Sequence, residues 1–277
     1  MSTLTITTIQ TDLVWEDKVA NLRNLQSKIE GIGERTELVI LPEMFSTGFS
    51  MNAVELAETM DGPTVQWMRQ IAGEHKIILT GSLIIKEQDH FYNRLVWMLP
   101  NGQFGYYDKR HLFCLSGEEN YYSSGNKRLI ASVKGWKINL QICYDLRFPV
   151  WSRNRKVDVA SQDLNTTAVE EAEQASEYDV LIFVANWPSK RINAWKALLT
   201  ARAIENQCFA IGVNRVGVDG NNLVYNGNTL VADPLGNILY EVVDKEDVST
   251  ITLTKKMLEE VRTQLPFWKD GDSFTFL

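Results

Sequence analysis

The nonapeptide QICYDLRFP (residues 141–149) closes an apolar run, WKINLQIC (136–143), with a cysteine followed by an acid and an arginine. A short apolar run that ends in a reactive side chain is what a buried strand supplies, because α/β sheets gather functional groups at the carboxyl ends of their strands. Other segments share this form. ELVILP (37–42) is continuously apolar and is followed by Glu43, and DVLIFVAN (179–186) is followed by Trp187. LTITTIQ (4–10) alternates with a period near two, as a strand does. KIILTGSLII and FYNRLVWML read as strands, with PNG (100–102) turning the second one back. RLIASV and WKINLQIC flank a Lys-Gly turn, and NTLVAD and NILYEV flank PLG, two hairpin signals.

Helical spacing alternates with these runs. Val19, Leu22, Leu25, Ile29 and Ile32 mark the apolar face of a first helix, with Gly31 and Gly33 at its end. Pro63 opens a second, NAWKALLTARAIENQ (193–207) predicts a third, and 254–263 a last one. Strands and helices interleave to the end with no low-complexity linker, which predicts one α/β domain over 1–277. One stretch breaks the pattern. Residues 157–178 carry six acids and no base, either as a passive solvated insertion or as a lid over a pocket.

Composition narrows the function classes. The chain has 44% hydrophobic and 23% charged residues, and no apolar run approaches the about 20 residues of a membrane span. The first residues read as a strand rather than a signal peptide. A net charge of −7 without basic clusters argues against nucleic acid as a partner. Cys114, Cys143 and Cys208 form neither a disulfide framework nor a metal-ligand spacing, which suits a reducing, cytoplasmic setting and a site without metal.

A nucleophilic cysteine needs a base or a cation beside it. His75 and His90 read as surface groups, and His111, in DKRHLF, is the histidine in the most promising company. A carboxylate can also serve. Glu43, Lys109 in YYDKRHLF and Cys143 each end a strand-like run, three reactive groups of three kinds.

LPEMFSTGF, YDKRHLF and ICYDLRFP, in that order, resemble the Glu, Lys and Cys motifs of the nitrilase superfamily, the carbon–nitrogen hydrolases, and VANWP and ARAIENQ support the likeness. The resemblance runs from about residue 4 to 275 and is nearest to the omega-amidase branch, which hydrolyses the terminal amide of short 2-oxo acid amides. It implies a four-layer α-β-β-α sandwich that associates as a homodimer or higher homo-oligomer through outer helices. NAWKALLTARAIENQ and the aromatic tail are the candidate contact surfaces.

The resemblance also implies roles. Cys143 is the nucleophile, Glu43 the general base, Lys109 an oxyanion donor, and the backbone N–H of Tyr144 a second one. The second glutamate of the family falls on Glu118, seven residues before Gly125, with Glu119 the adjacent alternative. In related carbamoylases an arginine at the place of Arg147 holds a substrate carboxylate; the bland reading pairs it with Asp145. Trp187, Phe45 and Phe113 are candidate pocket walls. The expected substrate is a small carboxylate-bearing amide, with no cofactor. Carbamoylase or nitrilase chemistry, and a catalytically silent binding protein of the same fold, are the competing readings. The path from SRNR (152–155) to VANWP is longer here than is usual in the family, which bears on the pocket rim.

Overall fold

In Leu38–Ile40 every side chain is buried, and the two faces of the strand go to different cores. Leu38 and Ile40 join one apolar cluster and Val39 another, the period-two split of a strand covered on both sides. Val180–Val184 divides in the same way: Val180, Ile182 and Val184 face the first cluster, Leu181 and Phe183 a third. The first cluster therefore lies between two sheets and the other two lie under helices. The computed structural model describes residues 2–158 and 174–275.

In chain order the strands are β1 (Thr3–Gln10), β2 (Leu38–Ile40), β3 (Ile78–Glu87), β4 (His90–Met98), β5 (Phe104–Asp108), β6 (Leu129–Val133) and β7 (Trp136–Ile142). They continue with β8 (Lys156–Asp158), β9 (Gln174–Ser176), β10 (Val180–Val184), β11 (Phe209–Val213), β12 (Val216–Val218), β13 (Val224–Ala232), β14 (Ile238–Val243) and β15 (Asp247–Thr254). One sheet runs β15-β1-β2-β3-β4-β5, with β1, β2 and β3 parallel. The other runs β12-β13-β11-β10-β7-β6, with β14 against β13 and with β7, β10 and β11 parallel. Helices α1 (Lys18–Glu30) and α3 (Pro63–His75) flank the short α2 (Ala53–Leu56) and cover the first sheet; α5 (Ile192–Asn206), after the short α4 (Pro149–Ser152), covers the second. The layers are helix, sheet, sheet, helix, as expected. The final helix, α6 (Lys255–Gln264), sets Leu258 into the core between the sheets.

Local chemistry explains the boundaries. Asp17 accepts the Ala20 N–H at 2.9 Å and caps α1. The face of α1 differs from the expected one: Val19 is exposed, and Asn21 takes the buried place. Asn21 bonds both backbone groups of Val14 and donates to the Ser46 carbonyl at 2.8 Å, so a polar side chain is stable there. The strand β15, which zips antiparallel along all of β1, is an element the sequence reading passed over.

The acidic stretch is rooted by β8 and β9, which pair antiparallel. Residues 159–173, on which the choice between lid and insertion depends, lie outside the described residues.

Candidate active site

Glu43, Lys109, Cys143 and Asn186 stand just beyond the ends of β2, β5, β7 and β10, two from each sheet. The sheets face each other, so these ends converge. Asn186 joins them directly: its N–H donates to Glu43 Oε2 at 2.8 Å and its Nδ2 to the Glu43 carbonyl at 2.6 Å. Asn93 Nδ2 donates to Glu43 Oε1 at 2.8 Å. The carboxylate is thus held from both sheets.

Lys109 Nζ lies 3.0 Å from Glu43 Oε1 and 3.0 and 2.9 Å from the two oxygens of Glu118. Glu43 and Glu118 are 0% exposed and Lys109 is 1% exposed. Of the two adjacent glutamates, Glu118 is the one placed on the lysine, and Glu119 is exposed. The loop bearing Glu118 docks through Gly125, whose N–H donates to the Lys109 carbonyl at 2.9 Å. A Cβ at Gly125 would stand 2.2 Å from the Asp108 carbonyl oxygen, so only glycine permits this approach.

Cys143 follows β7 directly and adopts φ 43°, a left-handed conformation unusual for a residue with a Cβ. The turn it opens is laced by Asp145. Asp145 Oδ2 accepts from the Ile142 N–H at 3.0 Å and the Tyr107 hydroxyl at 2.7 Å. Asp145 Oδ1 accepts from the His111 N–H at 2.9 Å and lies 2.8 Å from His111 Nδ1. Tyr107 and His111 stand two residues either side of Lys109, so one carboxylate ties the lysine's segment to the cysteine's. This is the true setting of His111. It stacks on Phe148 at 3.7 Å and serves Asp145, not the thiol.

The electrostatics follow from this packing. Burial pushes the Cys143 thiol well above the ordinary thiol range, and the charge and hydrogen bond of Glu43 push the same way, against Lys109. Lys109 does favour the thiolate, but burial and Glu43 outweigh it. Burial alone would lower Lys109, but Glu118 and Glu43 outweigh it and hold the ammonium firmly protonated. Burial raises the Glu118 carboxyl against the pull of Lys109. The arrangement can hold a neutral thiol beside a carboxylate acceptor, with a fixed cation opposite.

Above this cluster opens a cavity of about 420 Å³. Lys109, Cys143, Tyr144, Arg147, Trp187 and Phe113 all line it. Arg147 is free of Asp145, whose oxygens are taken, and lies over the Trp187 ring at 4.9 Å. Phe45 is corrected: it is 0% exposed, packs in the core under α3 with Trp67 and Gly81, and is absent from the cavity wall. Asn93, Asn186, Asp145, Asp219 and Arg191 were missed. Asn186 stood in the quoted VANWP and Asp145 in QICYDLRFP, but nothing in a linear string tells an acceptor's partner. Among the described residues no cluster of three or more His, Cys, Asp or Glu side chains is placed to hold a metal ion.

A family model described as carbon-nitrogen hydrolase matches residues 5–263. The chain is 40% identical over 276 residues to omega-amidase YafV of Escherichia coli strain K12, covering 99% of each chain. It is 32% identical to 2-oxoglutaramate amidase of Bacillus subtilis strain 168, covering 96% of each. The crystal structure of XC1258 from Xanthomonas campestris, a CN-hydrolase superfamily protein with an arsenic adduct in its active site, superposes with a TM-score of 0.92 at 45% identity, covering 100% of each chain.

Proposed function

The chain belongs to the carbon–nitrogen hydrolase family, and we propose that it is an omega-amidase, hydrolysing the terminal amide of small 2-oxo acid amides to acid and ammonia. The observation that carries the mechanism is the convergence of Glu43, Lys109 and Glu118 beside Cys143 on the floor of one cavity. The relatives named omega-amidase and 2-oxoglutaramate amidase support the substrate class.

In this reading the Cys143 sulfur attacks the amide carbon as Glu43 takes the thiol proton, which suits a thiol that is neutral at rest. Negative charge gathers on the carbonyl oxygen and is met by the Lys109 ammonium and the Tyr144 N–H. One such donor is worth about 3–4 kcal/mol of barrier. Glu43 returns the proton to nitrogen, the C–N bond breaks, ammonia leaves, and a thioester remains. Glu43 then deprotonates a water that attacks the thioester, and the acid departs as sulfur regains its proton. Glu118 neutralises and fixes Lys109. Arg147, Trp187 and Phe113 bind the rest of the substrate.

The whole chain works as one domain in this reading, as a cytoplasmic homodimer or higher homo-oligomer with α5 and the aromatic tail as the contact surface. The three free cysteines support a reducing setting. Light scattering that shows only a 31.6 kDa species would remove the oligomer.

Ammonia release by the purified protein, measured on 2-oxoglutaramate, carbamoyl amino acids and nitriles, tests the activity. Release from 2-oxoglutaramate that Cys143→Ala abolishes is the expected result. No ammonia from any amide would refute the proposal, and release that survives Cys143→Ala would refute the mechanism.

A further inference from the structure

The cavity carries more positive charge than the chemistry above consumes. Lys109 is neutralised by Glu43 and Glu118. Arg147 and Arg191 also line the cavity, and among the described residues neither pairs with a carboxylate. The wall does hold one carboxylate, Asp219, but it is already engaged. Its Oδ1 accepts the N–H groups of Asn221 and Leu223 at 2.8 and 3.0 Å, and its Oδ2 accepts the Tyr225 hydroxyl at 2.8 Å. Two guanidinium residues on one cavity wall, neither paired with a carboxylate among the described residues, form a binding site for an anion.

Both cations are fixed by the same aromatic frame. The Arg147 guanidinium lies over the Trp187 ring. The indole N–H of Trp187 donates to the Arg191 carbonyl at 2.9 Å, anchoring the backbone of the second arginine. The Arg191 guanidinium lies over Phe113 at 5.0 Å. Phe113 meets Tyr144, the neighbour of Cys143, edge to face at 5.0 Å. An aromatic contact occupies the flat face of a guanidinium and leaves its edge, where all five N–H donors lie, for a ligand.

We propose that Arg191 is a specificity-determining residue: with Arg147 it forms a two-cation subsite that reads the carboxylate and the adjacent 2-oxo carbonyl at the substrate end remote from the scissile amide. This rests on the amidase reading above and adds to it a residue and the chemical group that residue recognises. One guanidinium fork satisfies one carboxylate. A second guanidinium beside it requires a further acceptor, and a 2-oxo acid offers its carbonyl oxygen next to the carboxylate. A 2-amino acid amide places an ammonium there instead. That ammonium meets two guanidiniums against the single carboxylate of the wall, Asp219, which is held in place by Asn221, Leu223 and Tyr225. The subsite therefore selects 2-oxo over 2-amino acid amides through repulsion as well as attraction.

The test separates binding from turnover. Calorimetric titration of Cys143→Ala with 2-oxoglutarate and with glutamate gives the wild-type subsite preference. Adding Arg191→Gln is expected to weaken 2-oxoglutarate binding by about tenfold or more and to narrow its preference over glutamate. Arg191→Lys, which keeps the charge and loses the fork, should fall between. In the otherwise unchanged enzyme, Arg191→Gln should lower kcat/KM for 2-oxoglutaramate relative to butyramide by a similar factor, chiefly through KM. Unchanged affinity together with an unchanged ratio would overturn the proposal. An enzyme that cleaves 2-oxoglutaramate with no dependence on Arg191 refutes the subsite alone. A protein that binds 2-oxoglutarate through Arg191 but cleaves no amide upholds the subsite and refutes the amidase.

Discussion

The floor and the wall of the cavity both carry charge, and they treat it oppositely. On the floor Glu43, Lys109 and Glu118 are shut from water and hydrogen-bonded to one another, to Asn93 and to backbone N–H groups. On the wall Arg147 and Arg191 are half-buried, lie on aromatic rings, and hold no carboxylate among the described residues. Charge completed by the protein is charge the protein means to keep still; charge left incomplete is an invitation to a ligand. The contrast gives each group a different signature on substitution.

The largest effect is expected on the floor. Lys109→Met strands two buried carboxylates, and breaking such a cluster costs about 3–5 kcal/mol. Urea unfolding should show that loss together with loss of turnover, whereas Arg147→Gln should cost about 1 kcal/mol or less while raising KM for carboxylate-bearing amides. Equal destabilisation by the two would erase the distinction between floor and wall.

A smaller change tests the balance within the floor. Burial keeps the Cys143 thiol high and Glu43 adds to that, while Lys109 opposes both. Glu43→Gln removes a raising charge and leaves the lowering one. Thiolate absorbance followed against pH should therefore develop at lower pH in Glu43→Gln than in the parent, although amide turnover is lost. A midpoint that stays or rises would mean that Glu43 does not hold the thiol up.

The smallest effect lies away from the cavity, at the root of the acidic ribbon. Burial would raise Glu177, but its bonds to Arg155 and Arg128 outweigh that and hold it below the usual carboxylate value. A carboxyl with a depressed folded pKa stabilises above its unfolded value, about 4.3, and that stability is lost as pH falls through the folded pKa. The acid limb of the melting curve should be shallower in Glu177→Gln than in the parent. An unchanged limb would show that the pair carries no stability.

How much of this was legible in the sequence follows from the physics of each element. β2, β7 and β10 are buried on both faces, and such strands write themselves as unbroken apolar runs, so their ends and the reactive groups beyond them could be read directly. β15 was not, because DVSTITLT mixes polar and apolar residues on a half-covered edge strand. Val19 misled because helical spacing marks a face but cannot say that Asn21, once its amide is bonded to Val14 and Ser46, is the better buried neighbour. Phe45 misled because nearness in sequence to Glu43 is not nearness in space: the chain turns at 43–47 beyond β2 and sends Phe45 into the core under α3. Asp145 and Arg191 were hidden for a common reason. The meaning of one comes from the donors gathered on it, and that of the other from the carboxylate it lacks among the described residues, and neither is written in the chain order.

The segment from Asn186 to Arg191 has a consequence for how such an enzyme can diversify. Its first residue grips Glu43 and its last lines the cavity wall, with Trp187 between them held by its N–H on Asn214 Oδ1 and its indole N–H on the Arg191 carbonyl. Mutational drift at position 191 can therefore alter what is accepted without disturbing the bonds that hold Glu43, so new preferences can be sampled in descendants that remain active throughout.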